Sequence, residues 1–202
     1  MMTIKNGCAI CSKDVRGNRK IKYLCSKCNI LFDFNMIGLY IGRFQPFHNG
    51  HLKLIKDSIK SLNLEKIIIV VAIPLRKTER DPFSADDRIE MIKRALEEEN
   101  INNFYLTKLK DIPSDDEYVN HVRENVPPFN VVIVGESKLN EKLFKKAGFK
   151  VITSERLLGI SSTMIRELMR KNNEKWKDYV PKAVADYIKK KGLIKELDKL
   201  NK

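Results

Sequence analysis

The chain carries two histidines, three residues apart, in the segment G-R-F-Q-P-F-H-N-G-H at residues 42–51. His48 and His51 flank a turn before a helical pattern, so both imidazoles can face one anion at a helix start, where backbone N–H groups and the helix dipole favour phosphate. Gly42 permits a tight exit from a strand. Arg43 has a planar, permanently charged side chain that donates hydrogen bonds to phosphate. With no acid or nucleophile present, the segment suits transfer of a phosphoryl or nucleotidyl group by positioning and electrostatics.

A second segment, G-I-S-S-T-M-I-R at residues 159–166, has the same kind of chemistry. Ser161, Ser162 and Thr163 precede a helical apolar pattern, so their hydroxyl and N–H groups can hold phosphate oxygens at a helix start. Arg166 lies one turn further on and can reach the same phosphates. Alone, this segment is more typical of an ordinary capped helix. Its pairing with the histidine segment favours a phosphate site.

The four cysteines form two CxxC pairs with thirteen residues between them: Cys8, Cys11, Cys25 and Cys28. Two such pairs can present four thiolates tetrahedrally to one Zn²⁺. No cysteine is left over and no ligand position stays open, which favours a closed structural site over a catalytic metal. Two disulfides or free thiols are the alternatives. The N-terminus has no apolar signal segment, so we expect a cytoplasmic protein, in which disulfides are rare.

The composition is that of a soluble globular protein, with 43% hydrophobic and 32% charged residues among 202. No apolar run approaches the roughly 20 residues that span a bilayer, so we expect no membrane partner. The net charge of +13 attracts polyanions such as nucleotides or RNA, although charge runs are more typical of a solvated surface. A nucleic-acid partner that binds through the cysteine module stays open. We also expect a homo-oligomer.

Strand and helix patterns alternate after residue 35 and predict a doubly wound parallel α/β domain at 36–202, with a helical C-terminus. The cysteine module at 1–34 is expected to be a separate zinc ribbon. Ligands of such sheets bind beyond the carboxyl ends of the strands. The histidine segment follows the first strand, and Gly135 follows the fourth. Strands are expected at 36–41, 66–73, 103–109, 130–135 and 150–153, and helices at 50–62, 84–98, 115–125, 139–147 and from 162 onward.

The HxGH pattern after a first strand, with a later I-S-S-T-x-I-R, resembles the HxGH nucleotidylyltransferase superfamily. The fuller segment 42–51 is similar to the archaeal-type nicotinamide mononucleotide adenylyltransferases. Segments 81–92, 127–135 and 174–188 agree with the same family, so the resemblance covers about residues 36–195. It implies a Rossmann-like fold and a nucleotidyltransferase activity. The implied reaction transfers AMP from ATP to nicotinamide mononucleotide, gives NAD and pyrophosphate, and uses Mg²⁺ that accompanies ATP.

The resemblance implies four catalytic residues that bind the triphosphate and stabilise the transition state: Arg43, His48, His51 and Arg166. It implies a wider nucleotide-binding set, which holds the phosphates and forms the adenosine pocket: Gly42, Arg43, Phe44, His48, His51, Gly135, Ser161, Ser162, Thr163 and Arg166. Arg88 is expected to be structural and to pair with Asp86 or Glu90.

The sequence departs from the family pattern in two neighbouring places. The segment A-I-P-L-R-K-T-E-R at 72–80 replaces the family's G-S-A-Q-x-S-H-T, and Asp81 stands where the family has asparagine. Segment 72–80 helps line the acceptor pocket, so another phosphorylated acceptor, such as flavin mononucleotide or phosphopantetheine, stays an alternative. A second alternative is an RNA-binding factor that uses the zinc ribbon and the basic surface.

The cysteine spacing predicts about one zinc ion per chain. Elemental analysis of the purified protein checks this stoichiometry. A metal-free protein with two disulfides would contradict the zinc site.

Overall fold

The computed structural model describes residues 22–25, 30–33, 36–76, 78–153 and 159–197. The chain divides into two compact units, Met1–Met36 and Ile37–Lys202. Within the first unit, β1 (Lys22–Cys25) and β2 (Ile30–Asp33) pair antiparallel. Cys8, Cys11 and Cys28 lie outside the described residues, so the zinc site stays a prediction.

The second unit is built on a five-stranded parallel sheet, which confirms the predicted parallel α/β fold. The run K-I-I-I-V-V-A-I forms a strand that is buried on both faces, as is typical of parallel sheets covered by helices. The strands are β3 (Ile37–Gly42), β4 (Lys66–Ile73), β5 (Phe104–Lys110), β6 (Val131–Val134) and β7 (Lys150–Thr153).

Six α-helices accompany the strands in the described part of this unit. Ser84, Ser114, Ser137 and Ser161 each cap a helix by accepting a hydrogen bond from a backbone N–H three residues on, which satisfies a donor that the helix itself leaves unpaired. The helices are α1 (Asn49–Leu62), α2 (Ala85–Glu98), α3 (Asp115–Asn125), α4 (Lys138–Lys146), α5 (Ser162–Arg170) and α6 (Lys182–Lys191). Short 3₁₀ turns at Glu174–Tyr179 and Leu193–Leu197 flank α6, and the first of them buries Trp176 in the core.

The strand order is β5-β4-β3-β6-β7, so the chain leaves β3 in one direction through β4 and later continues in the other through β6. The point of reversal therefore lies between β3 and β6. Ligands of open α/β sheets bind at such a point, beyond the carboxyl ends of the strands. Gly42 ends β3 and Gly135 follows β6, so both lie at this edge. Among the helices that the structure describes, none is long and apolar enough to cross a membrane.

Candidate active site

The two histidines form a reciprocal cap at the start of α1. His48 Nδ1 accepts from the backbone N–H of His51 at 3.4 Å, and His51 Nδ1 accepts from the backbone N–H of His48 at 3.2 Å. The rings stack with their centroids 3.5 Å apart. Because both Nδ1 atoms act as acceptors, the proton of each neutral ring is assigned to Nε2. Each ring therefore offers one Nε2–H donor.

Both imidazoles are neutral at pH 7 in the protein without ligand. Burial lowers the pKa of His48 to about 4, against a smaller opposite effect of the Glu136 carboxylate. Burial also holds the pKa of His51 well below its usual range, and the neighbouring His48 lowers it further. The pair therefore meets an anion as two hydrogen-bond donors rather than as two cations.

Aromatic rings support His51 from behind. Phe44 packs edge-on against His51 at 5.0 Å and against Tyr40 at 5.2 Å, while Phe47 stacks on His51 at 5.5 Å. A Cβ atom on Gly42 would lie 2.7 Å from Cζ of Phe44, so glycine is needed here to make room for this ring. The structure thus gives Gly42 a packing role, and it buries Phe44 behind the histidine.

The loop between β3 and α1 is held by Arg88. The expected pairing of Arg88 with Asp86 or Glu90 is wrong, because the side chain is only 2% exposed and its guanidinium is directed at backbone carbonyls. Nη1 donates to the carbonyl of Arg43 at 2.7 Å and to that of Ala72 at 2.9 Å. Arg88 thereby joins the carboxyl ends of β3 and β4. The expectation of a structural role is confirmed.

The segment 159–166 is hydrogen-bonded to the histidine segment at 42–51. Arg166 Nη1 donates to the carbonyl of Gln45 at 2.7 Å, and Ser162 Oγ donates to that of Pro46 at 3.2 Å. Arg166 is 5% exposed and also donates through Nη2 to Oγ1 of Thr163 at 3.3 Å. The structure thus brings the two segments of the sequence prediction together, and Arg166 contributes by holding the histidine loop.

Gln45 is a positioning residue that the sequence analysis does not single out. Its side chain accepts from the backbone N–H of Phe83 at 3.0 Å and donates to the Phe83 carbonyl at 3.2 Å. This pair fixes the histidine loop to the segment that leads into α2. The signal in the sequence is a lone amide between Phe44 and Pro46, in a stretch that is otherwise apolar.

A cavity of about 720 Å³ opens beside the histidine segment, beyond the ends of β3, β4 and β5. Arg43 lines it, together with Arg76 from the 72–80 segment, Asp111 and Tyr118. Burial raises the pKa of Asp111, although Arg43 opposes this, and burial raises the pKa of Tyr118 to about 12. The sequence analysis misses Asp111 and Tyr118. Asp111 directly follows β5 at the ligand edge of the sheet, which is the signal that points to it.

The parallel α/β fold and the histidine pair at a helix start are typical of a class of nucleotide-transferring proteins. The cytidylyltransferase-like family matches residues 39–168, and the chain belongs to this family. The nicotinamide-nucleotide adenylyltransferase of Ignicoccus hospitalis is 37% identical over 174 residues, which are 83% of this chain and 99% of that relative. The enzyme of the same name from Pyrococcus horikoshii is 39% identical over 166 residues, 81% of this chain and 86% of that relative.

These relatives confirm the prediction of a nucleotidyltransferase and place the chain among the archaeal nicotinamide-nucleotide adenylyltransferases. A solved structure of a bifunctional NMN adenylyltransferase/ADP ribose pyrophosphatase from Francisella tularensis, complexed with AMP and manganese, matches with a TM-score of 0.61 and 22% identity. The match covers 81% of this chain and 52% of that longer chain, and it supports the fold alone.

The depressed pKa of His48 predicts a pH-dependent stability. Between about pH 4 and the ordinary value near 6.5, an unfolded histidine binds a proton that the buried ring does not bind, so the free energy of unfolding falls as the pH is lowered through this window. His48→Asn keeps a favourable N-cap residue and removes the titrating ring. We expect the wild type to lose on the order of 2 kcal/mol more than this variant over the window. Denaturant unfolding at each pH measures the loss, and parallel curves would contradict the assignment.

Proposed function

We propose that this chain transfers the adenylyl group of ATP to the phosphate of nicotinamide mononucleotide and releases NAD and pyrophosphate. The observation that carries the proposal is the stacked histidine pair at the switch point of the sheet, in the same segment as Arg43, which lines the adjacent cavity. The cavity therefore adjoins the histidine segment at Gly42 and Arg43. The extent of the match to the two relatives supports this choice of reaction.

In the proposed reaction, a phosphate oxygen of the mononucleotide attacks the α-phosphorus of ATP. The new P–O bond forms as the bond from the α-phosphorus to the bridging oxygen breaks, and the electron pair leaves with pyrophosphate. The attacking phosphate is already anionic, so the step needs no general base. The Nε2–H donors of His48 and His51 stabilise the charge that develops on the transferring group and the leaving pyrophosphate.

We assign the triphosphate to the helix starts of α1 and α5, where backbone N–H groups and the hydroxyls of Ser161 and Thr163 bind anions. Ser162 and Arg166 keep the two helix starts together through their bonds to the histidine loop. Adenosine lies beside Gly135. Arg43 binds the phosphates where the two substrates meet.

The cavity chemistry supports a cationic aromatic acceptor. Asp111 supplies a carboxylate and Tyr118 an aromatic ring in the lining, and both interact favourably with a positively charged planar ring. The nicotinamide ring of the mononucleotide is such a pyridinium cation. The ring of flavin mononucleotide is uncharged, and phosphopantetheine has no ring, so neither gains this stabilisation.

We propose that Mg²⁺ enters with ATP. No group of three or more histidine, cysteine or carboxylate side chains is placed to hold a metal ion in the described part of the chain. Mg²⁺ commonly keeps most of its ligands as phosphate oxygens and waters. Oxygen atoms of the triphosphate would then be its ligands, and its charge would offset that of the leaving pyrophosphate.

We also propose a structural zinc ion at Cys8, Cys11, Cys25 and Cys28. Cys25 ends β1 and β2 begins at Ile30, so the second CxxC pair falls in the sequence at the connection of an antiparallel hairpin. A short segment of this kind gains its folding free energy from the metal. This proposal is independent of the reaction.

We expect nicotinamide mononucleotide to be the preferred acceptor. With ATP fixed, competition against nicotinic acid mononucleotide, flavin mononucleotide and phosphopantetheine measures the ratio of kcat/KM values, which is the definition of specificity. If flavin mononucleotide or phosphopantetheine wins by more than about tenfold, the acceptor is wrong while the reaction class survives.

His51→Ala is expected to lower kcat on the order of 10²–10³-fold, because it removes a donor placed for the transition state. ATP affinity, measured by calorimetry, should change much less. His51→Asn keeps a side-chain acceptor for the His48 N–H and should lose comparable activity. Asp57→Asn, which removes an exposed ion pair with Lys53 on the same helix, is the control, with an expected loss below about threefold. Near-normal turnover of both His51 variants would remove His51 from the catalytic set.

A further inference from the structure

Asp81 is a buried acidic residue to which the proposed reaction gives no role. The residue is 2% exposed. Its Oδ2 accepts from Thr78 Oγ1 at 2.8 Å and from the Thr78 backbone N–H at 3.4 Å, and its own N–H donates to the Thr78 carbonyl at 2.8 Å. This local turn fixes the direction of the carboxylate.

The second carboxylate oxygen faces Arg43. Asp81 Oδ1 is buried and has no hydrogen-bond partner within the described residues, and Nη1 of Arg43 lies 3.7 Å from it. The Arg43 side chain is 53% exposed, whereas that of Asp81 is 2% exposed. A buried carboxylate oxygen without a donor is unfavourable. It therefore attracts the Arg43 guanidinium, which is exposed at the edge of the cavity.

Two other arginines lie near Asp81 but are engaged elsewhere. Arg88 donates to the carbonyls of Arg43 and Ala72, and Arg166 donates to that of Gln45. The backbone of Arg43 is thus held by Arg88, while its guanidinium has no hydrogen bond to any residue that the structure describes. Among the described residues, Asp81 is the carboxylate that forms an ion pair with this guanidinium, whereas Asp111 acts on Arg43 only over a longer distance.

We propose that Asp81 is a positioning residue that holds one edge of the Arg43 guanidinium, so that the opposite edge meets the substrate phosphates. This inference rests on the proposed function. A guanidinium presents donors on more than one edge, so it can bind a carboxylate and a phosphate at once. Because the carboxylate is fixed by Thr78, Arg43 is oriented before the substrates bind. A donor oriented in advance contributes most in the transition state.

The test is a double-mutant cycle between Asp81→Asn and Arg43→Ala. Asparagine, which the resembling family has at this position, keeps an oxygen for Thr78 and replaces the charged oxygen that faces Arg43, so the cycle tests a contact that is particular to this chain. We expect Asp81→Asn to lower kcat about tenfold and to weaken ATP binding about threefold. The larger loss falls on kcat because the oriented donor acts mainly in the transition state. In the Arg43→Ala background the same change should have almost no effect, because the residue through which Asp81 acts is gone.

Asp57→Asn is the matched control, because it removes an exposed ion pair with Lys53 on the outer part of α1 and should leave both measurements unchanged. Equal fold-losses from Asp81→Asn with and without Arg43 would overturn the positioning role and indicate a purely structural carboxylate. The ATP titration needs no acceptor. If nicotinamide mononucleotide is not adenylated but the ATP affinities are non-additive, the proposed acceptor fails and the Asp81 inference stands.

Discussion

The site depends on how the backbone of residues 43–46 is held. The carbonyls of Arg43 and Gln45 turn toward the protein interior, and buried backbone carbonyls require donors. Arg88 from α2 and Arg166 from α5 supply these donors from two different helices. These guanidinium–carbonyl hydrogen bonds therefore set the position of the histidine loop relative to both helices. Ser162, through its bond to the Pro46 carbonyl, adds a further link between the histidine loop and the start of α5.

The choice of arginine for this task has an electrostatic consequence. A guanidinium can bridge two carbonyls, as Arg88 does for Arg43 and Ala72, whereas an ammonium is a compact point charge that lacks the planar fork. Two permanent cations consequently lie under the loop. Burial lowers the pKa of both arginines, and the Asp81 carboxylate opposes that effect in each case. The site combines this structural positive charge with histidines that are neutral.

The histidine loop and the neighbouring cavity are separable parts of the molecule. The histidine loop is fixed by buried hydrogen bonds, whereas Leu75 and Arg76 of the cavity lining belong to a surface connection and are exposed. Surface connections vary more readily than the elements they join, because fewer buried contacts depend on them. The departure at 72–80 can therefore change the cavity without disturbing the transfer site.

The sequence alone determined the helices and strands of the second unit. It also singled out the two segments whose residue types suit phosphate, 42–51 and 159–166. A continuous β-branched run produced β4 at the predicted bounds, and α3 also begins and ends at the predicted residues 115 and 125. These features follow from interactions between residues close in the chain, which periodicity and capping rules describe. The placement of His48 and His51 at a helix start after a strand is of the same local kind.

The tertiary structure alone decided which distant side chains meet. The carbonyl partners of Arg88, the approach of Asp81 to Arg43 and the arrival of Tyr118 in the cavity join segments that are far apart in the sequence. Local pattern placed Arg88 beside two acidic residues of its own helix, and the fold turned it inward instead. The reason is physical: a buried guanidinium takes the partners that strand order and helix packing bring to it, and no short-range pattern encodes that geometry.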